Sequence, residues 1–140
     1  MLGALAALLV LAALAAGCGA GEAEYANADR PPAPIAISIA VVGDRIAVSP
    51  NHVGAGPVLL LIANEGSRSR DVTLTGPDGD RACVADDASS GPINPQGAAR
   101  MSLPLVEGTC AVGVADGQLE PTRLVVGPER ESAQQDLLQP

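Results

Sequence analysis

The sequence predicts an all-β protein, an antiparallel β-sandwich or Greek-key barrel, preceded by a leader and a tether. Three observations carry this. Residues 35–42 alternate, with Ile35, Ile37, Ile39 and Val41 on one side and Ala36, Ser38, Ala40 and Val42 on the other. That period of two belongs to a strand with one buried face. Residues 58–63, Val-Leu-Leu-Leu-Ile-Ala, form the most hydrophobic run after the leader and suit a buried central strand. Short apolar runs then recur roughly every 8–15 residues with turn residues between them, and no helical period precedes the tail.

The chain opens with a targeting segment. Residues 2–16 are an uninterrupted run of Leu, Ala, Val and Gly. A membrane-spanning helix needs ~20 apolar residues, so this shorter run suits a signal-peptide hydrophobic region over 1–17. Leu14-Ala15-Ala16-Gly17-Cys18 closes it. Small residues directly before a cysteine resemble the bacterial lipobox, which implies lipidation of Cys18 and anchoring at the outer face of the cytoplasmic membrane. Two features depart from that pattern. Ala15 stands where Leu is usual, and Met1-Leu2-Gly3 carries no charge. The alternative is plain secretion, with cleavage near Ala16 and Cys18 left as a thiol. Residues 18–34 are small, polar and finally Pro-rich, and they read as a flexible tether with a reach of roughly 20–25 Å.

The sandwich is expected over 35–126. Gly43-Asp44 breaks the first strand, residues 46–48 extend the chain, and Pro50-Asn51 turns it. A Gly/Pro-rich connection at 54–57 leads into the apolar run, which Asn64, Glu65 and Gly66 close. Strand 71–74 follows a polar loop, and Gly76-Pro77-Asp78-Gly79-Asp80 is a strong turn cluster. Cys83 lies on a short extended piece, and 86–91 reads as a polar loop. Residues 98–105 form a strand with Met101, Leu103 and Leu105 on one face, and Pro104 assigns its end to a sheet edge. Strands 109–114 and 122–126 complete the set, separated by Asp116-Gly117. The tail, 127–140, contains Pro128 followed by good helix formers. A short helix over 129–138, docked through Leu137 and Leu138, and a frayed tail are equally compatible with it.

Composition excludes several functions. The formal charge is −8 over 140 residues, and every basic residue is Arg. Nucleic acids are held through clustered cations, and anionic lipid surfaces through polybasic segments, so neither is an expected electrostatic partner. One Tyr, no Phe and no Trp leave no stacking platform for sugars or single strands. Ala, Gly, Pro and Arg in abundance without Lys fit a GC-rich, actinobacterial genome.

Catalytic and metal motifs are scarce. There is no Gly-x-Ser-x-Gly, His-Glu-x-x-His or phosphate loop. Ser49 lies near His52 in sequence, without a strained elbow or oxyanion hole. Asp78, Asp80, Asp86 and Asp87 offer hard oxygen ligands for calcium but lack a full ligand series. No catalytic, cofactor or metal residue is therefore assigned, and the chain is not expected to be an enzyme. Cys83 and Cys110 form an even pair in an exported domain, where disulfides persist. Their bond would close a loop worth roughly 3–4 kcal/mol on the chain-entropy model. Two buried free thiols are the alternative.

At this level of detail the chain resembles a family. The motifs are Ser-Pro-Asn, Val-x-Ala-Gly-Pro, an apolar strand, Asn-x-Gly before the next strand, Pro-Ile-Asn-Pro, and Glu-Gly-Thr before another. Their order is similar to that in cupredoxin-like domains of secreted lipoproteins, over residues 35–126. The resemblance implies a Greek-key β-sandwich, and in its best-known members one copper held by two His, a Cys and an axial Met. The sequence departs from that ligand set. Ser67-Arg68-Ser69-Arg70-Asp71 stands where the first copper His is expected. Residues 110–123 hold a Cys but neither His nor Met, His52 lies on a different connection, and Met101 on a different strand. The expected function is thus a lipid-anchored extracytoplasmic binding or interaction domain without copper, meeting an envelope protein through loops 67–70 or 86–94. Arg68 and Arg70 suit an anionic partner or simple solvation. The alternative is a copper or electron-transfer protein with non-standard ligands.

Overall fold

A computed structural model describes residues 31–76 and 82–132. The leader, Cys18, most of the tether, the turn at 77–80 and residues 133–140 of the tail lie outside the described residues. The described chain is all-β: β1 Ile35–Val42, β2 Arg45–Ser49, β3 His52–Asn64, β4 Arg70–Thr75, β5 Ala88–Ile93, β6 Ala98–Leu105, β7 Gly108–Val114 and β8 Thr122–Glu129. The strands form two hydrogen-bonded layers that share β3. In the first the order is β2-β1-β3-β6, and in the second β3-β8-β7-β4-β5.

The alternation in β1 does what period two requires. Ile37, Ile39 and Val41 are buried, while Ala36 and Ser38 are exposed. From β3, Val58, Leu60 and Ile62 join them in the core, and Val72, Leu74, Val112, Leu124 and Val126 meet them from the second layer. Each such side chain contributes roughly 1.5–3 kcal/mol on burial. Thr122 Oγ1 ties the layers together by donating to the Ile46 carbonyl at 2.6 Å.

Pairing differs from the antiparallel expectation in two places. β1 runs parallel to β3, and the start of β3 runs parallel to β8. The cause lies at the expected connection 54–57, which is a corner inside one continuous strand. His52 to Gly54 runs alongside β8, a register irregularity follows at Gly54/Ala55, and from Gly56 onward the strand pairs with β6 and β1. The chain therefore comes down β2 and the first arm of β3, doubles back, and returns beside β1 in the same direction. Side-chain alternation is identical in parallel and antiparallel strands, so the pattern carries no sign of direction.

Arg130 holds this corner. Its guanidinium donates to the carbonyls of Gly54, Ala55, Pro57 and Ala33, at 3.2, 3.2, 2.6 and 2.9 Å, and its own amide donates to Ala55. Gly56 has φ +124°, and a Cβ there would lie 3.0 Å from Pro32 and 3.1 Å from Nη2 of Arg130. Only glycine suits that backbone and that space. Pro32 is buried at the same corner, so the last residues of the expected tether pack on the domain. Arg130→Ala strips several charge-assisted bonds from one bend and should cost about 2–3 kcal/mol. Arg130→Lys should recover only part of that loss, because a point charge cannot span the fork. Denaturant unfolding of the two variants measures it, and equal stabilities for Lys and Arg would refute the fork.

The other differences are local. Residues 88–93, which take in most of the expected polar loop 86–91 and run past its end, form β5 at the margin of the second layer, where Gly91 and Pro92 keep it irregular. Strand 98–105 has the expected bounds and edge position, pairing only with β3. β8 continues through Glu129, so the first residue of the expected C-terminal helix is strand. Glu131 and Ser132 are irregular, and the rest of that helix lies outside the described residues.

Candidate functional site

The motifs singled out in the sequence converge at one end of the sandwich. Asn64 ends β3 there, β4 starts at Arg70, β5 ends at Ile93, β6 starts at Ala98, and the β7–β8 turn brings Asp116. Asn64 is the organiser. It is 1 % exposed, and its Nδ2 donates to the carbonyls of Arg68, Ile93 and Asn94 at 2.7, 2.9 and 3.2 Å. Its Oδ1 accepts from the Gly66 amide at 3.1 Å, and its own amide donates to Gly97. One side chain thus joins turn 65–69 to turn 93–97. Gln96, at φ 59°, adds bonds from Nε2 to the carbonyls of Glu65 and Gly66. Ser69 Oγ donates to Ile93 at 3.2 Å. Buried polar atoms are costly unless paired, and among the described residues no buried side-chain nitrogen or oxygen is left unpaired.

Arg70 crosses this end and pairs with Asp116, Nη1 to Oδ2 at 2.6 Å. The Arg70 side chain is 10 % exposed and that of Asp116 42 %. Asp116 Oδ1 also accepts from the Gln118 amide, which fixes the carboxylate in the turn. Arg70 is therefore committed within the fold, and only Arg68 of the two expected loop arginines projects into solvent. Beside them, Asp71 accepts from Ser89 Oγ at 2.7 Å, and Ser90 Oγ accepts from the Val72 amide.

The remaining candidates are dispersed. Cys83 and Cys110 are bonded to each other, 0 % exposed, with Cα atoms 5.2 Å apart. His52 is exposed, with Nδ1 3.3 Å from Oδ1 of its neighbour Asn51. It stands opposite Val125, which stands opposite Thr109, five residues before Val114 at the far end of β7. At ~3.3 Å per residue this puts His52 roughly 15–17 Å below the Arg70–Asp116 end. Met101 packs on the core from β6. Ser49 is exposed at the end of β2, and Asp86 and Asp87 are exposed, while Asp78 and Asp80 lie outside the described residues. Among the described residues, no three His, Cys, Asp or Glu side chains gather into a group able to hold a metal ion.

These residues do not fit a type-1 copper. Such a centre needs two imidazoles, a thiolate and open coordination space. Here both described thiols are consumed in a disulfide, the lone imidazole is remote, and an arginine–carboxylate pair fills the end where the resemblance puts the metal. Asp116 was not visible in advance, because Asp116-Gly117 carries the ordinary signature of a turn. Asn64 was visible as part of Asn-x-Gly, but its bonds to 93–94 join segments 29 and 30 residues apart. No protein-family model matches the chain, and no curated protein matches its sequence.

Proposed function

We propose that this chain is a lipid-anchored extracytoplasmic binding or interaction domain, a cupredoxin-like Greek-key sandwich that keeps the frame of that family without its copper site. The observation that carries this is the Arg70–Asp116 pair at the end of the sandwich, where a cation would meet the Arg70 guanidinium in place of a ligand. Connectivity supports the fold: β4 and β7, separated in the chain by β5 and β6, lie side by side, as strands in a Greek key do. The anchoring rests on Gly17-Cys18 at the end of the hydrophobic leader.

The partner-facing elements are the turns around Asn64, which its hydrogen bonds hold in one shape before any partner arrives. Pre-set loops bind without a large ordering cost. Arg68 is the exposed cation of this end and suits a carboxylate or another anion. The test is metal analysis and visible absorption of the purified chain after exposure to copper. Substoichiometric copper and no strong visible band are expected. One tightly held copper per chain with an intense band would overturn the proposal in favour of electron transfer through unusual ligands. A pull-down of the anchored chain from its own envelope, compared with Arg68→Glu, then identifies the partner.

A further inference from the structure

The outer face of the first layer does not look like a surface that ends at solvent. A strand with one wet face alternates apolar and polar residues, whereas a continuous apolar run marks a strand covered on both faces. β3 carries such a run, yet only Val58, Leu60 and Ile62 are in the core. Leu59, Leu61 and Ala63 face the other way and remain partly exposed. Their neighbours are small. The register places Ala47, Ala40, Ala63 and Ala98 in one row across the four strands. The next row is Ser49, Ser38, Leu61 and Arg100. A shallow groove of about 740 Å³ runs over this face, with Glu65 and Arg100 on its walls. Neither of those two side chains has an ion-pair or hydrogen-bond partner among the described residues.

From this we infer that the face is the interface of a two-fold dimer, the occupant of the groove being a second copy of the chain. Charge selects the axis. A two-fold axis in the plane between two such faces, perpendicular to the strands and passing over the alanine row, lays each β3 over its partner's β3. Positions above the row in one copy then meet positions below it in the other. Glu65, one row above, arrives over Leu61 and Arg100 of the other copy, one row below, and the pairing repeats on the opposite side. An axis parallel to the strands would instead put Arg100 over Ser49 and leave both charges unpaired. Alanines at the axis allow close approach, and Leu61 from each copy fills the groove of the other. Four strands at ~4.8 Å spacing and about six residues at ~3.3 Å give a face of roughly 400 Å² in projection. With side-chain relief this approaches the ~600 Å² per partner at the lower end of specific interfaces. The inference rests on register and charge, and only the setting of its test, the cell envelope, is taken from the location proposed above.

Disulfide trapping of the full chain in its own envelope tests it. An Ala63→Cys variant places a thiol at the axis, and mild oxidation of intact cells should give a linked dimer that the parent chain does not give. Ser102→Cys, on the same face but off the axis, should not link. Adding Glu65→Arg alone or Arg100→Glu alone to Ala63→Cys should lower the linked fraction at least roughly tenfold, since each opposes like charges. Combining the two reversals should restore it. Protease resistance of each variant checks that it is folded, and these outward side chains should leave that unchanged. No link through Ala63→Cys, equal linking through Ser102→Cys, or a double reversal no better than the single ones would each overturn the inference.

Discussion

Replacing Cys83 and Cys110 together with alanine is expected to cost about 3–4 kcal/mol of stability. The bond joins positions 27 residues apart, and both cysteines are fully buried. Backbone bonds hold the crossing in place: the Cys83 amide donates to Thr109, and the Val106 amide donates to the Cys83 carbonyl. The covalent link therefore spans a site that is already aligned, and its main effect falls on the unfolded chain, which loses freedom when the loop is closed. The loss matters here because the core has no Phe or Trp to add large buried surfaces. In a domain of this size it corresponds to a fall in melting temperature of about 15–25 °C. Denaturant unfolding of the parent and the double variant measures both midpoint and slope. The slope should rise in the variant, since its unfolded chain expands further. A difference under about 1 kcal/mol would mean that the bond adds little to contacts already present.

Asn64→Leu is expected to cost a similar amount, about 3–4 kcal/mol, despite conserving volume and adding apolar surface. The substitution removes one side chain and orphans several backbone groups: the carbonyls of Arg68, Ile93 and Asn94 and the amide of Gly66. Each group left buried and unpaired costs about 1–3 kcal/mol, partly recovered as water enters the loosened turns. The damage should stay local. Amide exchange should quicken across 64–69 and 93–97 while β1 and β7 keep their protection. Loss confined to the global midpoint, with those turns still protected, would show that Asn64 acts as ordinary core. The same variant bears on the proposed function, because the turns that it loosens are those proposed to meet a partner.

Much of the frame is legible in residue order. Period-two alternation gives the inward faces of β1 and β6, Pro104 marks an edge, and Asp116-Gly117 marks a turn that the structure contains. Two cysteines after the expected leader and tether are enough to suggest the Cys83–Cys110 pair, and the structure contains that bond. The misplaced elements share one cause. Residues 88–93 look like loop because Ser, Gly and Pro dominate them, yet β4 supplies partners that make them a strand. Residues 54–57 look like a break because Gly and Pro dominate there too, yet Arg130 gathers their carbonyls into a bonded corner. In both, a contact distant in sequence overrides local propensity.

The same division holds for the chemistry at the Asn64 end. Sequence alone determined that His52 is the single imidazole of the chain, one short of the pair that a type-1 copper needs. It also determined which side chains are apolar on both faces of β3. Tertiary structure decided everything that depends on distance: the parallel course of β1 and β3, the commitment of Arg70 to Asp116, the convergence of two turns on Asn64, and the row of alanines across four strands. Periodicity records how far a residue is turned from its neighbours along one strand. It is silent on strand direction and on the partner across a gap, and those are set only when the layers close on one another.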